Sequence, residues 1–169
     1  ASVSPPDEEH NTWYVLGDPT EGALITLSRK AGFDPDTVQN SYPEEKEFAF
    51  DSARKRMSSF RAIDGKIFVF VKGAPESVLE RSTHIWDGAA SKKLTANDRK
   101  LINAQNMEWA NGAMRNLAFA YRTFPAGTDI KDLSIDQTEN DLHFLGMVSM
   151  IDPLRDEVHA AMTDAHAAH

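Results

Sequence analysis

Between Pro19 and Ala31 the apolar residues Leu24, Leu27 and Ala31 recur at spacings of three and four, the period of a helix with one buried stripe. Asp18 stands at its N-cap, Pro19 at the first helical position, Glu21 three residues past the cap and Gly32 just beyond the end. From "KEFAFDS" the period changes to two, and Phe48 and Phe50 are expected on one strand face. "RKRMSSFRA" reads as the next strand, Asp64-Gly65 as a hairpin turn and "KIFVFVK" as the strand back, so three antiparallel strands are predicted in the middle of the chain. "APESVLERS" predicts a short helix opened by Pro75, "THIWDGAASKKL" a small hairpin, and "TANDRKLINAQNMEWANGAMR" the longest helix. That helix is capped by Thr95, with Leu101, Ile102, Met107 and Trp109 among its apolar positions. "NLAFAYRTF" and "LHFLGMVSMID" read as two further strands separated by a polar loop, and "LRDEVHAAMTDAHAAH" as a helical tail. The first sixteen residues read as an acidic, Pro-containing arm, and "FDPDTVQNSYPEE" as turn-rich. The predicted class is α/β in the α+β sense, an antiparallel twisted sheet flanked by helices.

Composition narrows the chemistry. The 169 residues fit one domain with at most a fragment of another, and 41% hydrophobic with 26% charged residues is ordinary for a globular chain. Without cysteine there is no disulfide framework, thiolate metal site or cysteine nucleophile. The net charge of −8 argues against a nucleic-acid surface, which needs a basic face. No apolar run approaches the ~20 residues that span a bilayer, and "ASVSPPDEEH" has neither the basic nor the apolar region of a signal peptide, so the chain is expected neither inserted nor secreted. The phosphate-cradling G-x-x-x-x-G-K-[ST] and G-x-G-x-x-G are missing, as is the G-x-S-x-G of serine hydrolases. The six histidines form no compact constellation, and no metal site is expected.

Lys72 stands apart. A lysine ending the run Ile-Phe-Val-Phe-Val either closes a strand in solvent or aims its ammonium at a partner, and Gly73 beside it lets a ligand approach the backbone closely. Two strands upstream, Phe50 is followed by the basic run Arg54-Lys55-Arg56. An aromatic face with two or three cations suits an adenine ring with a phosphate tail: stacking for the base, charge-assisted hydrogen bonds for the phosphates.

"GDPTEGAL" (17 to 24), "FAFDSARKRMS" (48 to 58), "VKGAPE" (71 to 76), "GAMRNLAFAYR" (112 to 122) and "MIDPLRDE" (150 to 157) occur in the order in which similar segments occur in the nucleotide-binding domain of type II P-type cation-transporting ATPases, bacterial calcium pumps above all. The resemblance covers nearly the whole chain. It implies a nucleotide-binding domain over 1–150, then a hinge and the start of a phosphorylation domain over 151–169. It also implies that Phe50 stacks on adenine, that Lys55 borders the nucleotide, and that Lys72 lies in the adenine pocket. Glu21 would sit near the adenine amino group, although it also occupies the capping-box position of its helix. Arg115 would reach the phosphates, and Thr20, Met57, Gly73 and Leu117 would line the pocket. Asp152, Pro153 and Arg155 match the hinge, where Leu154 replaces a second proline of the family and leaves the hinge less stiff.

The family's "DKTGT", "TGES" and "GDGxND" and its membrane helices are not in this chain. The resemblance therefore implies a monomeric piece of a longer pump, on the cytoplasmic face of a membrane, that binds ATP without turning it over. Its partners would be the phosphorylation, actuator and membrane domains, with Mg²⁺ held mainly by the phosphorylation domain and Ca²⁺ as the transported ion. A non-catalytic module that keeps the fold and binds a protein through its acidic surface is the competing class. Retention of Phe50, Lys55, Lys72 and Arg115 together counts against it.

Overall fold

The computed structural model describes residues 1–151 and 156–168. The chain opens with β1 (Ser2–Ser4) and β2 (Tyr14–Leu16), an antiparallel pair in which Val3 faces Val15. The acidic arm expected there is instead a folded loop. Asp7 accepts from the backbone of Glu9 and His10 at 3.0 and 2.8 Å and from the Tyr14 hydroxyl, while the His10 ring stacks on Tyr14 at 3.8 Å. The Tyr14 hydroxyl, then His10, draw the Asp7 carboxyl down to about 2.

α1 (Pro19–Lys30) starts on the Asp18 cap as expected, the Asp18 carboxylate accepting from Thr20 N at 2.7 Å and Glu21 N at 3.2 Å. It packs on β2 through Gly22, where a Cβ would lie 2.4 Å from both Val15 methyls. α2 (Pro35–Ser41) occupies the stretch expected to be turns. Asp34 and Pro35 are turn formers, but here they serve as N-cap and first helical residue, the same pairing that opens α1.

The main sheet begins with β3 (Glu44–Asp51), β4 (Arg56–Ile63) and β5 (Lys66–Gly73), antiparallel neighbours as predicted. β4 and β5 join through Asp64 and Gly65 at φ of 48° and 71°, a two-residue turn whose twist matches that of its strands. α3 (Pro75–Glu80), the hairpin β6 (Ser82–Trp86) and β7 (Ser91–Lys93), and α4 (Ala96–Asn111) follow. Thr95 and Asp98 close a capping box at the start of α4. Ile102 of this helix packs on the core, whereas Leu101 and Met107 face solvent. β8 (Arg115–Phe124) and β9 (Leu142–Met150) are the two late strands, and the loop between them contains the short α5 (Ile135–Thr138); α6 (Asp156–Ala167) ends the described chain.

Strand order is β3-β4-β5-β8-β9-β6-β7, antiparallel except for β6 against β9. One sheet face carries the core: Phe60, Val69, Val71, Ala118, Ala120 and Phe144 interlock with Val78 and Leu79 of α3. The residues alternating with them, Met57, Lys72, Leu117 and Phe119, point to the opposite face, and there lies the candidate site.

Candidate nucleotide site

At the end of the sheet where β5 finishes and β8 begins, a cavity of about 430 Å³ opens on that face. All nine residues expected to contact a nucleotide line it: Thr20 and Glu21 from the first turn of α1, Phe50, Lys55 and Met57 from β3, the turn and β4, Lys72 and Gly73 from β5, and Arg115 and Leu117 from β8. The volume lies in the range of about 300–1,000 Å³ usual for small-ligand sites.

Phe50 reaches this cavity by a route that alternation alone does not give. Phe48 packs edge-on against Phe60 in the core, with centroids 5.5 Å apart. A register shift between Phe48 and Asp51 then turns the strand by one residue, so Phe50 emerges on the opposite face with 62% of its surface exposed. The two phenylalanines expected on one face are thus divided between core and cavity, and Phe50 offers a bare ring.

Lys55 sits in the β3–β4 turn at φ 54°, its ammonium 3.5 Å from Glu76 in solvent. Arg56, which was grouped with it as a phosphate-binding cation, is turned away. Its side chain is buried on the core face, where Nε donates to Glu139 Oε2 at 2.7 Å and Nη1 to Ser77 Oγ at 2.8 Å. Arg54 Nη1 donates to Glu139 Oε1 at 2.6 Å, so the arginines on either side of Lys55 grip one fully buried carboxylate. This leaves Lys55 as the cation of that run at the cavity.

Lys72 stands between Met57 of β4 and Phe119 of β8, and its ammonium donates to Glu21 Oε1. The Glu21 carboxylate, expected to complete a capping box, thus crosses to the sheet instead. Gly73 is required by the chain itself: a Cβ there would lie 2.4 Å from Lys55 O, and Ala74 N donates to that same oxygen at 2.9 Å. Arg115, at the start of β8, is exposed, and its charge joins the hydrogen bonds from Glu21 N and Thr20 in holding the Asp18 carboxyl below the usual range.

Asp18, Ala74 and Asn116 line the cavity without having been singled out. Asp18 was legible only as a cap. Asn116 donates to Asn106 O and Oδ1 at 3.0 and 2.8 Å and accepts from Ser149 Oγ at 2.8 Å, which pins the start of β8 to α4 and β9. No local signal marks that role. The expected hinge residues Asp152, Pro153 and Arg155 lie outside the described residues.

The sequence profile of the family described as the P-type ATPase cytoplasmic domain N matches residues 1–157. The chain belongs to this family. This N domain is 42% identical over 165 residues to a calcium-transporting ATPase of Bacillus subtilis (strain 168), a match covering 95% of the chain and 18% of that protein. It is 35% identical to calcium-transporting ATPase 1 of Lactococcus lactis, over 91% of the chain and 17% of that protein. A cation-transporting ATPase of Synechocystis is 36% identical, over 93% of the chain and 16% of that protein. The chain thus spans less than a fifth of the length of these relatives. Among the described residues of the N domain, no helix is long and apolar enough to cross a membrane.

Proposed function

We propose that this chain holds ATP for a calcium-transporting P-type pump and presents it to an aspartate in another domain of the longer protein. The observation that carries the reading is the convergence of Phe50, Lys55, Lys72, Glu21 and Arg115 on one cavity from four separate segments. The bare Phe50 ring suits stacking with the base, worth about 0.5–1.5 kcal/mol beyond area burial. Lys55 and Arg115 lie toward solvent, where a triphosphate would extend, and Glu21 with Lys72 offers an acceptor and a donor to the edge of the base. Calcium as the ion is supported by the two relatives known as calcium-transporting ATPases.

The lining does not fit Mg²⁺. Asp18 is engaged as a helix cap and Glu21 by Lys72, and the described residues contain no cluster of three histidine or acidic side chains able to hold a cation. The phosphorylation, actuator and membrane domains would be the covalent neighbours, with domain closure supplying the positioning that phosphoryl transfer needs. The test is calorimetric titration of the chain with ATP. The expected Kd is roughly 0.1–5 mM, with about five- to tenfold weakening in Phe50→Ala and in Lys72→Ala and no phosphate release. A folded chain that takes up no ATP would point to the protein-interaction reading.

A further inference from the structure

The cavity is one end of a longer trough. Met57, Lys72 and Phe119 stand side by side across β4, β5 and β8, and over this row the Glu21–Lys72 pair bridges α1 to the sheet. Beyond the row the same sheet face continues as a groove of about 710 Å³, floored by Phe70 and Phe119 and walled by Val38 and Tyr42 from α2 and its end. Glu21, Met57 and Lys72 line both spaces, so the ion pair is a partition and not an end wall. Arg61, four residues along β4 from Met57, lines the groove and donates to Tyr42 O and, at 3.3 Å, to Gln39 Oε1.

Charge orients a nucleotide in the trough. Arg115 lies four residues before Phe119 on β8, about 13 Å at a strand rise near 3.3 Å, which sets the phosphate-binding end apart from the partition. With phosphates at Lys55 and Arg115, the base lies toward Glu21. The adenine group that a carboxylate accepts from is the exocyclic N6 amine, which therefore faces the partition. A singly substituted amine keeps one N–H for Glu21 and sends its substituent past the pair. There Phe70 and Val38 are 37% and 47% exposed, apolar surface that a ring would cover.

We propose that the groove is a second, apolar compartment of the nucleotide site, which takes an aromatic group carried on the N6 amine. The ligand class of the chain then includes adenine nucleotides with an arylmethyl group on N6, bound more tightly than ATP. This rests on the ATP reading above.

The experiment is paired titration of the chain with ATP and with N6-benzyl-ATP, repeated on Val38→Glu, which charges the groove at an exposed helix position away from the smaller cavity. The benzyl compound is expected to bind about tenfold tighter than ATP, and Val38→Glu to abolish that gain while leaving ATP unchanged. ATP binding with an equal or weaker benzyl compound overturns the compartment and leaves the nucleotide site standing. A gain that survives Val38→Glu places the ring elsewhere and overturns it too. Binding of neither nucleotide removes the ATP reading and the compartment together.

Discussion

A methyl group added to Gly73 would lie 2.4 Å from the Lys55 carbonyl oxygen and 2.5 Å from the Arg56 Cβ, both on the neighbouring strand and turn. Neither can yield without moving backbone. Gly73→Ala is therefore expected to lose about 1–3 kcal/mol of stability in urea denaturation, the range for overpacking a close-fitted site; a change within a few tenths would mean that β4 and β5 separate more freely than their register implies. The sequence marked Gly73 as a place where a ligand comes close to the backbone, whereas the group packed tightly against it is the chain's own Lys55 carbonyl, held by Ala74 N at 2.9 Å. Lys72 shows the same limit: the apolar run before it left open a solvated strand end or a partner, the family resemblance placed Glu21 only near the adenine amine, and the pairing of the two across 51 positions emerges in the fold.

Elements with local signals were readable. The Asp64-Gly65 turn, the Asp18 and Thr95 caps and the β6–β7 hairpin all follow from short-range chemistry. The bulge that turns Phe50 outward, the parallel pairing of β6 with β9 and the burial of Glu139 depend on distant residues, and no periodicity encodes them. Glu139, just after α5, accepts from Arg54, Arg56 and Ser58 on the β3–β4 side of the sheet. Glu139→Ala strands two guanidinium groups and is expected to lose about 3–5 kcal/mol in the same denaturation assay. Farther along the sheet, burial, then the neighbouring His84 and Arg122, push His143 of β9 below its ordinary value. Its folded form thus favours the neutral ring, so its contribution is complete above an unfolded pKa of about 6.5 and is lost as pH falls through the lower folded value. The urea midpoint should drop on acidification below that point, and drop less in His143→Gln.

At the scale of the whole molecule, the order β3-β4-β5-β8-β9-β6-β7 places the last two strands of the sequence in the middle of the sheet. Residues 44–73 form one block and 82–93 the other, and β8 with β9 is the wedge that joins them. A chain ending at residue 113 keeps both blocks and the α3 and α4 helices but lacks the wedge. It is expected to show no cooperative unfolding transition by circular dichroism, because Ala118, Ala120, Leu142 and Phe144 of the core are gone. The same path has a consequence in time. As the chain leaves the ribosome, Phe50, Lys55 and Lys72 emerge well before Arg115 and Leu117, and the two blocks wait for strands not yet synthesised. The nucleotide cavity is thus among the last features to close, and a nascent chain acquires it only once the sheet that carries it is complete.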